Sequence, residues 1–306
     1  MVAAHVRQAL AQGRPVVALE STIITHGMPW PANLDTARQA EAEVRAGGAV
    51  PATIAVLEGI PCVGLDAGQL EQLARGAGSA RKCSVRDLPL AMARGESGGT
   101  TVAATLHLAS AAGIRVFATG GIGGVHRGAA QTFDISADLP ALARYPLAVV
   151  CAGPKAILDL GLTLEVLETL GVPVLGFGTD ELPAFWSRTS GHPVDARVDH
   201  ARQVAELLEA QSKLGLDGGV LVCQPVPEAH ALAPEVLATA LAGALAAAEA
   251  EAVSGKALTP FLLQHVVQAT GGESLAANQG LMAANARLAA AIAVALALAP
   301  LPGQAC

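Results

Sequence analysis

The chain is poor in charged and aromatic residues. Of its 306 residues, 15% are charged and 3% are aromatic, whereas 52% are hydrophobic. So apolar a composition excludes an intrinsically disordered chain, which combines low hydrophobicity with high net charge. Positive charge is scarce as well, because 19 Lys and Arg stand against 26 Asp and Glu and give a net charge of −7. Binding to a nucleic-acid backbone needs a basic surface, so no nucleic-acid partner is expected.

Hydrophobic runs long enough for a membrane are also lacking. The longest uncharged stretches are 97–114, which contains three threonines, and 288–306, which contains two prolines. A bilayer requires about 20 consecutive apolar residues, so both stretches are expected to form buried helices. The N-terminus carries Arg7 and Arg14 and no apolar core typical of a signal peptide. We therefore expect a cytoplasmic protein without a membrane partner.

Cysteine and lysine are rare. The five cysteines are an odd number with no CxxC pair, so neither a disulfide framework nor a structural zinc site is expected. Buried thiols are expected instead, at Cys62, Cys83, Cys151, Cys223 and Cys306. Four lysines, at positions 82, 155, 213 and 256, stand against 15 arginines. Because arginine cannot form an imine, each lysine is a candidate for amine chemistry.

Short β-branched runs alternate with amphipathic or alanine-rich segments. The pattern predicts strands at 15–19, 52–57, 115–119, 147–151, 172–177 and 219–222. It predicts helices at 32–46, 101–112, 155–170, 200–214, 235–251, 260–269 and 275–298. This alternation is typical of a layered α/β fold with a largely parallel sheet. No linker, repeat or compositional break divides the chain, which predicts a single domain over 1–306.

Polar residues follow three of the predicted strands. The first strand is followed by Glu20, the third by a glycine-rich loop and Asp134, and the fourth by Lys155. Ligands of open α/β sheets bind at the carboxyl ends of the strands, so the chemistry is expected in these loops.

Lys155 and Glu20 are the candidates for catalysis. Lys155 follows Gly153-Pro154, a spacing that predicts a place in the first helical turn, where the helix dipole disfavours an ammonium and favours a nucleophilic amine. A solvated or anion-binding lysine is the alternative. Glu20 directly follows an apolar strand and is a candidate general acid and base, with capping or ion pairing as its alternative. His26 is a further candidate, as a proton shuttle.

The glycine-rich loop and the residues after it offer groups for anions and cations. His126 stands where GxGxxG requires glycine and no GxxxxGK[ST] occurs, so no dinucleotide or P-loop site is predicted. The loop amides with His126 and Arg127 could hold a phosphate, or form a structural turn. Asp134 and Asp138 offer oxygen ligands for Mg²⁺ or Mn²⁺, or begin a helix. Lys82 is an anion-binding candidate or a surface charge.

Longer segments throughout the chain carry a resemblance to a known family. They read ALESTIITHGMPWPANLDTA, GAVPATIAVLEG, TTVAATLHLASAAGIRVFATGGIGGVHRGAAQTFDISADL, VVCAGPKAILDLGLTLEVLETLGVPV, LPAFWSRTS and TPFLLQHVVQATGGESLAANQGLMAANA. These segments are similar to the pseudouridine-5′-phosphate glycosidase family, which includes indigoidine synthase A-like proteins. The resemblance implies a three-layer α/β/α fold with a largely parallel or mixed central sheet, assembled as a homotrimer.

The same resemblance implies an activity and a cofactor. The activity is reversible cleavage of the C–C glycosidic bond of pseudouridine 5′-phosphate to uracil and ribose 5-phosphate. The cofactor is Mn²⁺ or another divalent cation such as Mg²⁺.

The motifs also imply roles for single residues. Glu20 of ALEST is implied as the proton donor, Lys155 of AGPK as the covalent nucleophile and Asp134 of FDISAD as the metal ligand. Seven residues are implied at the substrate: Lys82, Val102, His126, Ser136, Ala137, Asp138 and Asn278. The chain departs from the family pattern at Pro154, at SGGTTV and at Ala277, which concerns substrate positioning and removes no reacting group.

A carbon–carbon glycoside calls for chemistry beyond two carboxylates, because the uracil carbon is a poor leaving group. The hypothesis is that Glu20 protonates the ribose ring oxygen and Lys155 adds at C1′, forming a Schiff base as uracil departs. Three alternatives remain open: a class I aldolase-like lyase acting on another sugar phosphate, a catalytically silent sugar-phosphate sensor, and a structural oligomer.

Overall fold

The computed structural model describes residues 1–253 and 255–298, without the side chain of residue 256. Cys306, expected as a buried thiol, lies outside the described residues. The helices are α1 (Ala4–Ala11), α2 (Ala32–Ala46), α3 (Ala67–Arg75), α4 (Leu88–Arg94), α5 (Val102–Ala111), α6 (Ala129–Thr132), α7 (Asp138–Arg144), α8 (Leu160–Thr169), α9 (Ala201–Lys213), α10 (Pro234–Ala250), α11 (Leu258–Ala269) and α12 (Glu273–Ala297). The strands are β1 (Val16–Leu19), β2 (Val50–Leu57), β3 (Ile60–Val63), β4 (Arg81–Cys83), β5 (Gly98–Thr100), β6 (Val116–Ala118), β7 (Val125–His126), β8 (Ala148–Cys151), β9 (Leu158–Asp159), β10 (Val174–Phe177), β11 (Ala196–Val198) and β12 (Val220–Cys223).

The central sheet is mixed, with a long parallel part. Its strand order is β11-β10-β12-β8-β6-β1-β2-β5-β4, and β3 pairs with β2 off this path. From β11 to β2 every neighbouring pair is parallel. The pairs that β2 makes with β3 and β5 are antiparallel. The expected largely parallel or mixed sheet is therefore confirmed.

Helices cover both faces of this sheet, because its central strands are apolar on both sides. All four residues of β1 are buried. Val17 and Leu19 belong to the apolar core formed with α2, α9, α10, α11 and α12. Val16 and Ala18 belong to the opposite core, formed with α1, α5, α7 and α8. The expected three-layer α/β/α arrangement is confirmed by these two cores.

Within the described residues, α12 is the one helix long and apolar enough to cross a bilayer. Within its most apolar stretch of 18 residues, 56% is buried inside the protein. Its side chains Leu281, Ala286 and Ile292 pack in the core on one face of the sheet. The helix therefore serves as a core element of the fold.

The four cysteines in the described residues, Cys62, Cys83, Cys151 and Cys223, are buried thiols, as expected.

The largest error in a predicted boundary bears on the candidate nucleophile. The helix predicted over 155–170 begins at Leu160, after the N-cap Asp159, whose side chain accepts a hydrogen bond from the Leu162 amide. Pro154 instead forms a parallel bridge with Ile122. Lys155 thus lies in the loop before the helix, and the helix-dipole argument does not apply to it.

Candidate active site

The carboxyl ends of β8, β6 and β1 lie side by side and open into a cavity of about 650 Å³. The cavity is lined by residues that follow these strands and by parts of α11 and α12. The ten residues to which the family resemblance assigns a role all line it: Glu20, Lys82, Val102, His126, Asp134, Ser136, Ala137, Asp138, Lys155 and Asn278. Arg127, considered for a phosphate, is not among the lining residues. The fold thus brings together residues that are far apart in the sequence, from Glu20 near the N-terminus to Asn278 in α12.

Glu20 is a buried carboxyl group held by two hydroxyls. The Thr119 hydroxyl donates to its Oε1 and the Thr22 hydroxyl to its Oε2. Burial raises the pKa of Glu20, while the charge of Lys155 and the two hydroxyls act to lower it and Asp138 adds to the rise. The net rise favours a protonated carboxyl group at higher pH, as a general acid requires.

Lys155 is held by the glycine-rich loop across the cavity. Its Nζ donates to the carbonyl oxygen of Gly121 at 2.7 Å, and its backbone amide donates to the carbonyl of Ile122 at 3.1 Å. The preceding Gly153 has a φ of +86° and lies so close to the Pro183 carbonyl that no side chain could be placed there. Glycine at 153 therefore permits the turn that delivers the amine.

Asp138 joins the glycine-rich loop to the start of α5. Its Oδ2 accepts from the Gly123 amide at 2.8 Å and its Oδ1 from the Ala103 amide at 2.9 Å. A Cβ at Gly123 would lie 2.8 Å from Oδ2 of Asp138 and would also collide with Ser136. Of the two aspartates considered for metal binding, Asp138 already has both oxygens engaged by the backbone.

His126, Asp134 and Lys82 bring titratable side chains to the cavity wall. The His126 amide donates to the Asp134 carbonyl at 3.0 Å. Burial lowers the pKa of His126, Asp134 acts against this, and the charges of Lys82 and Lys155 lower it further. Two lysine charges therefore act in this region of the cavity, which suits an anionic ligand.

Asp134 offers one carboxylate to a cation in the cavity. In the part of the chain that the structure describes, no group of three or more His, Cys, Asp or Glu could hold a metal ion. Mg²⁺ is commonly held by one or two carboxylates together with waters and substrate phosphate. The residues present fit a divalent cation bound through Asp134 and otherwise through water or substrate oxygens.

Comparisons with known proteins show the family to which the chain belongs. The family described as indigoidine synthase A like protein matches residues 5–295. The chain belongs to this family.

Its relatives in the family include enzymes named pseudouridine-5′-phosphate glycosidase. That of Sorangium cellulosum (strain So ce56) is 55% identical over 96% of this chain and 93% of its own. That of Solibacter usitatus (strain Ellin6076) is 57% identical over 94% of this chain and 96% of its own. The resemblance drawn from the sequence is thereby confirmed.

Two solved structures of this family are similar over the whole fold. The prealnumycin C-glycosynthase AlnA in complex with ribulose 5-phosphate is 41% identical, covers 97% of this chain and 96% of its own, and gives a TM-score of 0.89. An indigoidine synthase A-like protein from Thermotoga maritima MSB8 is 36% identical, covers 94% of both chains, and gives a TM-score of 0.86.

Several cavity features of this indigoidine synthase A-like chain escaped the sequence analysis. The hydroxyls of Thr22 and Thr119, which donate to Glu20, lie in the loops after β1 and β6. Their position at strand ends is the feature of the sequence that could have identified them. Phe185 also lines the cavity, with a φ of +62° that sequence patterns do not reveal. The apolar wall contributed by α11, with Pro260 and Leu263, depends on a tertiary contact far along the chain.

His26, named in the sequence as a proton shuttle, does line the cavity. Its Nδ1 lies 2.7 Å from the Thr25 hydroxyl oxygen. Burial lowers the pKa of His26, and the charge of Lys82 lowers it further. The neutral ring is thereby favoured.

Proposed function

We propose that this protein catalyses the reversible cleavage of pseudouridine 5′-phosphate to uracil and ribose 5-phosphate. The observation that carries the proposal is a protonatable Glu20 and the amine of Lys155 in one cavity, which Lys82 lines as well. The names of the relatives, and the pentose phosphate in the solved C-glycosynthase structure, support the same substrate class.

Glu20 supplies the acid of the first step. Its carboxyl proton passes to the ribose ring oxygen, and the bond between that oxygen and C1′ opens. The N1 electron pair of uracil stabilises the electron-deficient C1′ through the C5=C6 double bond. The hydroxyls of Thr22 and Thr119 hold both oxygens of the carboxyl group, so the acid is oriented before the substrate arrives.

Lys155 supplies the nucleophile of the second step. Its neutral amine forms a bond to C1′ and the resulting ammonium gives a proton to water. The nitrogen electron pair then forms the C1′=N bond as the C1′–C5 bond breaks and uracil departs. Uracil C5 takes a proton, and the Schiff base left on Lys155 is hydrolysed by water to release ribose 5-phosphate. The carbonyl of Gly121, 2.7 Å from Nζ, keeps the amine at the cavity wall until then.

The remaining predicted residues bind the substrate in this proposal. Lys82 and His126 contact its phosphate or other oxygens, and Asn278 donates a hydrogen bond. Val102, Ser136, Ala137 and Asp138 form the wall around the sugar; of these, Val102 begins α5 and Asp138 begins α7.

The cofactor is proposed to be Mn²⁺, or another divalent cation such as Mg²⁺, held by Asp134. When bound, such a cation supplies positive charge that orients substrate oxygens and offsets negative charge. Asp134 lies in the same cavity as Glu20 and Lys155, which supports this role.

A homotrimer in the cytoplasm is proposed as the working form. Phe133 is 81% exposed and Ile135 is 43% exposed, and Ile135 also lines the cavity. Exposed apolar side chains that lie together mark interaction surfaces more often than single ones do, so this pair beside the cavity supports assembly there.

Borohydride trapping tests the proposal. The protein is incubated with ribose 5-phosphate and Mn²⁺, reduced, and examined by intact and peptide mass. A ribose-phosphate adduct on Lys155, absent from Lys155→Ala and retained in the exposed-lysine control Lys213→Ala, is expected.

Other outcomes are equally informative. An adduct on Lys82 would mean that another amine reacts. An active enzyme without any adduct would contradict the Schiff base. A sugar-phosphate adduct without uracil release from pseudouridine 5′-phosphate would favour the aldolase-like alternative, and binding without turnover the silent sensor.

A further inference from the structure

Trp186 lies directly behind the cavity residue Asn278. Its side chain is fully buried, and its indole Nε1 donates to Oδ1 of Asn278 at 2.8 Å. The backbone carbonyl of Trp186 accepts from the Leu232 amide at 3.0 Å. Asn278 itself is buried on α12 and lines the cavity.

This contact determines which end of the Asn278 amide is available. An indole N–H can only donate a hydrogen bond, so the amide group must turn its oxygen toward Trp186. The amide nitrogen, with two N–H donors, is then the group left for a ligand. The amide group of Asn278 is therefore oriented to donate to a hydrogen-bond acceptor of a ligand, such as an oxygen of a phosphate or a carbonyl.

The backbone around Trp186 is adapted to this arrangement. Phe185 has a φ of +62°, a left-handed conformation that is strained for a bulky side chain and is often associated with functional sites. Its amide donates to the Ala152 carbonyl at 2.9 Å. A Cβ at Gly121 would lie 2.6 Å from the Phe185 ring, so this ring packs against the residue whose carbonyl holds Lys155.

The left-handed backbone at Phe185 thus positions two neighbouring aromatic rings. It places the Phe185 ring against the loop that holds the amine, and it places the Trp186 ring, with centroids 5.0 Å apart, behind Asn278. A regular extended backbone, with side chains on alternate sides, would not send two consecutive rings to these positions together.

We propose that Trp186 is a positioning residue that holds Asn278 as an obligatory hydrogen-bond donor to an acceptor oxygen of the sugar phosphate. Trp186 acts through Asn278 and does not itself contact the substrate. Because its effect is read from substrate binding, the role of Trp186 rests on the proposed function.

A double-mutant cycle tests this role. Trp186→Phe keeps an aromatic ring but removes the N–H, so we expect the KM for pseudouridine 5′-phosphate to rise about tenfold with kcat little changed. In an Asn278→Ala background the same substitution should change KM by less than about twofold, because its partner is gone. Trp30→Phe, at the partly exposed second tryptophan outside the cavity, is the control and should leave KM unchanged.

A purely structural role gives a different result. In that case Trp186→Phe would raise KM by the same factor whether Asn278 is present or not, and the proposal would be overturned. A fall in kcat with unchanged KM would overturn it as well.

A second pair of variants tests the direction of the hydrogen bond even where Trp186→Phe does not fold. Asn278→Asp keeps an acceptor for the indole but turns a carboxylate oxygen to the cavity. We expect it to raise KM about tenfold more than Asn278→Ala does, since an acceptor then faces an acceptor. An Asn278→Asp variant that binds as well as the wild type would show that Asn278 does not act as a donor.

The wild-type assay separates the two proposals. If the wild type releases no uracil from pseudouridine 5′-phosphate and binds no ribose 5-phosphate by calorimetry, the proposed function fails and the role of Trp186 with it. If the wild type is active and the variants behave as it does, only the role of Trp186 is refuted.

Discussion

Two glutamates, Glu20 and Glu41, are buried to the same extent in different parts of the molecule. Each is 7% exposed, and each accepts a hydrogen bond from at least one threonine hydroxyl. Glu41 also pairs with Arg45 at 2.7 Å on the surface of α2. Glu20 has a second threonine, a cavity in front of it and the charge of Lys155 acting on it, and its pKa is raised.

The difference lies in what compensates the charge. At Glu41 an arginine of the same helix, which cannot give up its proton, forms the ion pair. At Glu20 burial outweighs the partners, so the protonated form is favoured. Burial of a carboxylate therefore does not by itself indicate catalysis; the identity of its partners and its access to a cavity distinguish the two.

The largest expected effect comes from removing each carboxylate in turn. Glu20→Gln should lower kcat/KM by about 10³-fold, because the general acid is lost while the shape of the side chain is kept. Glu41→Gln should leave kcat/KM unchanged but lower the free energy of unfolding by about 1–3 kcal/mol, because the ion pair and its hydrogen bonds are weakened. Steady-state kinetics and urea unfolding check both, and an inactive but stable Glu41→Gln would remove the contrast.

The same contrast applies to Asp134 and Asp138. Asp134→Ala should raise the Mn²⁺ concentration needed for half-maximal activity by at least about tenfold. Asp138→Asn should chiefly lower the melting temperature, because one oxygen that now accepts a backbone amide becomes a donor. A manganese titration unchanged in Asp134→Ala would remove Asp134 as the metal ligand.

A smaller effect is expected on the pH profile. The Thr119 hydroxyl lowers the pKa of Glu20, so Thr119→Val should raise that pKa further and move the alkaline limb of kcat/KM to higher pH. Thr53→Val removes the matching hydroxyl from Glu41 and should leave the limb in place. If the alkaline limb of kcat/KM does not move in Thr119→Val, the limb does not report the ionisation of Glu20.

The smallest effect is on stability, and its sign follows from the raised pKa. Folded Glu20 keeps a proton that the unfolded chain releases above its ordinary pKa of 4.5. Its contribution to stability is therefore present below pH 4.5 and is lost as the pH rises through the folded-state pKa. Glutamine does not titrate, so the stability of Glu20→Gln relative to the wild type should increase with pH, as measured by urea unfolding across pH; a constant difference would contradict the raised pKa.

The parts of the fold that were predictable are those with local signals. β1, β8 and β12 are runs of four buried apolar residues, and a pattern of this kind is visible without the structure. β4 (Arg81–Cys83) and β5 (Gly98–Thr100) carry no such pattern. They form strands because β4 pairs with β5 and β5 pairs with β2. The start of α8 was misplaced because a proline suits both a first helical turn and the bridge that Pro154 makes with Ile122.

The candidate site was predictable in its strand-end loops and, through the family resemblance, in its ten residues. Phe185 and Trp186 could not be found in the same way, because their importance depends on one left-handed residue and on Asn278, 92 positions further along the chain. The apolar wall from α11 was missed for the same reason. Local patterns in the sequence identified the candidate reacting groups, whereas the residues that hold these groups in place are revealed only by tertiary contacts.

The hydrogen bond from Lys155 to the Gly121 carbonyl has a consequence for the timing of the proposed reaction. A main-chain carbonyl can accept a hydrogen bond but cannot take up the proton, so an ammonium at Lys155 must pass its proton to another group. Glu20 becomes such a group only after it has protonated the sugar. Acid catalysis then comes first, and Glu20 takes a proton from Lys155 in place of the one that it gave to the sugar, which leaves the amine neutral.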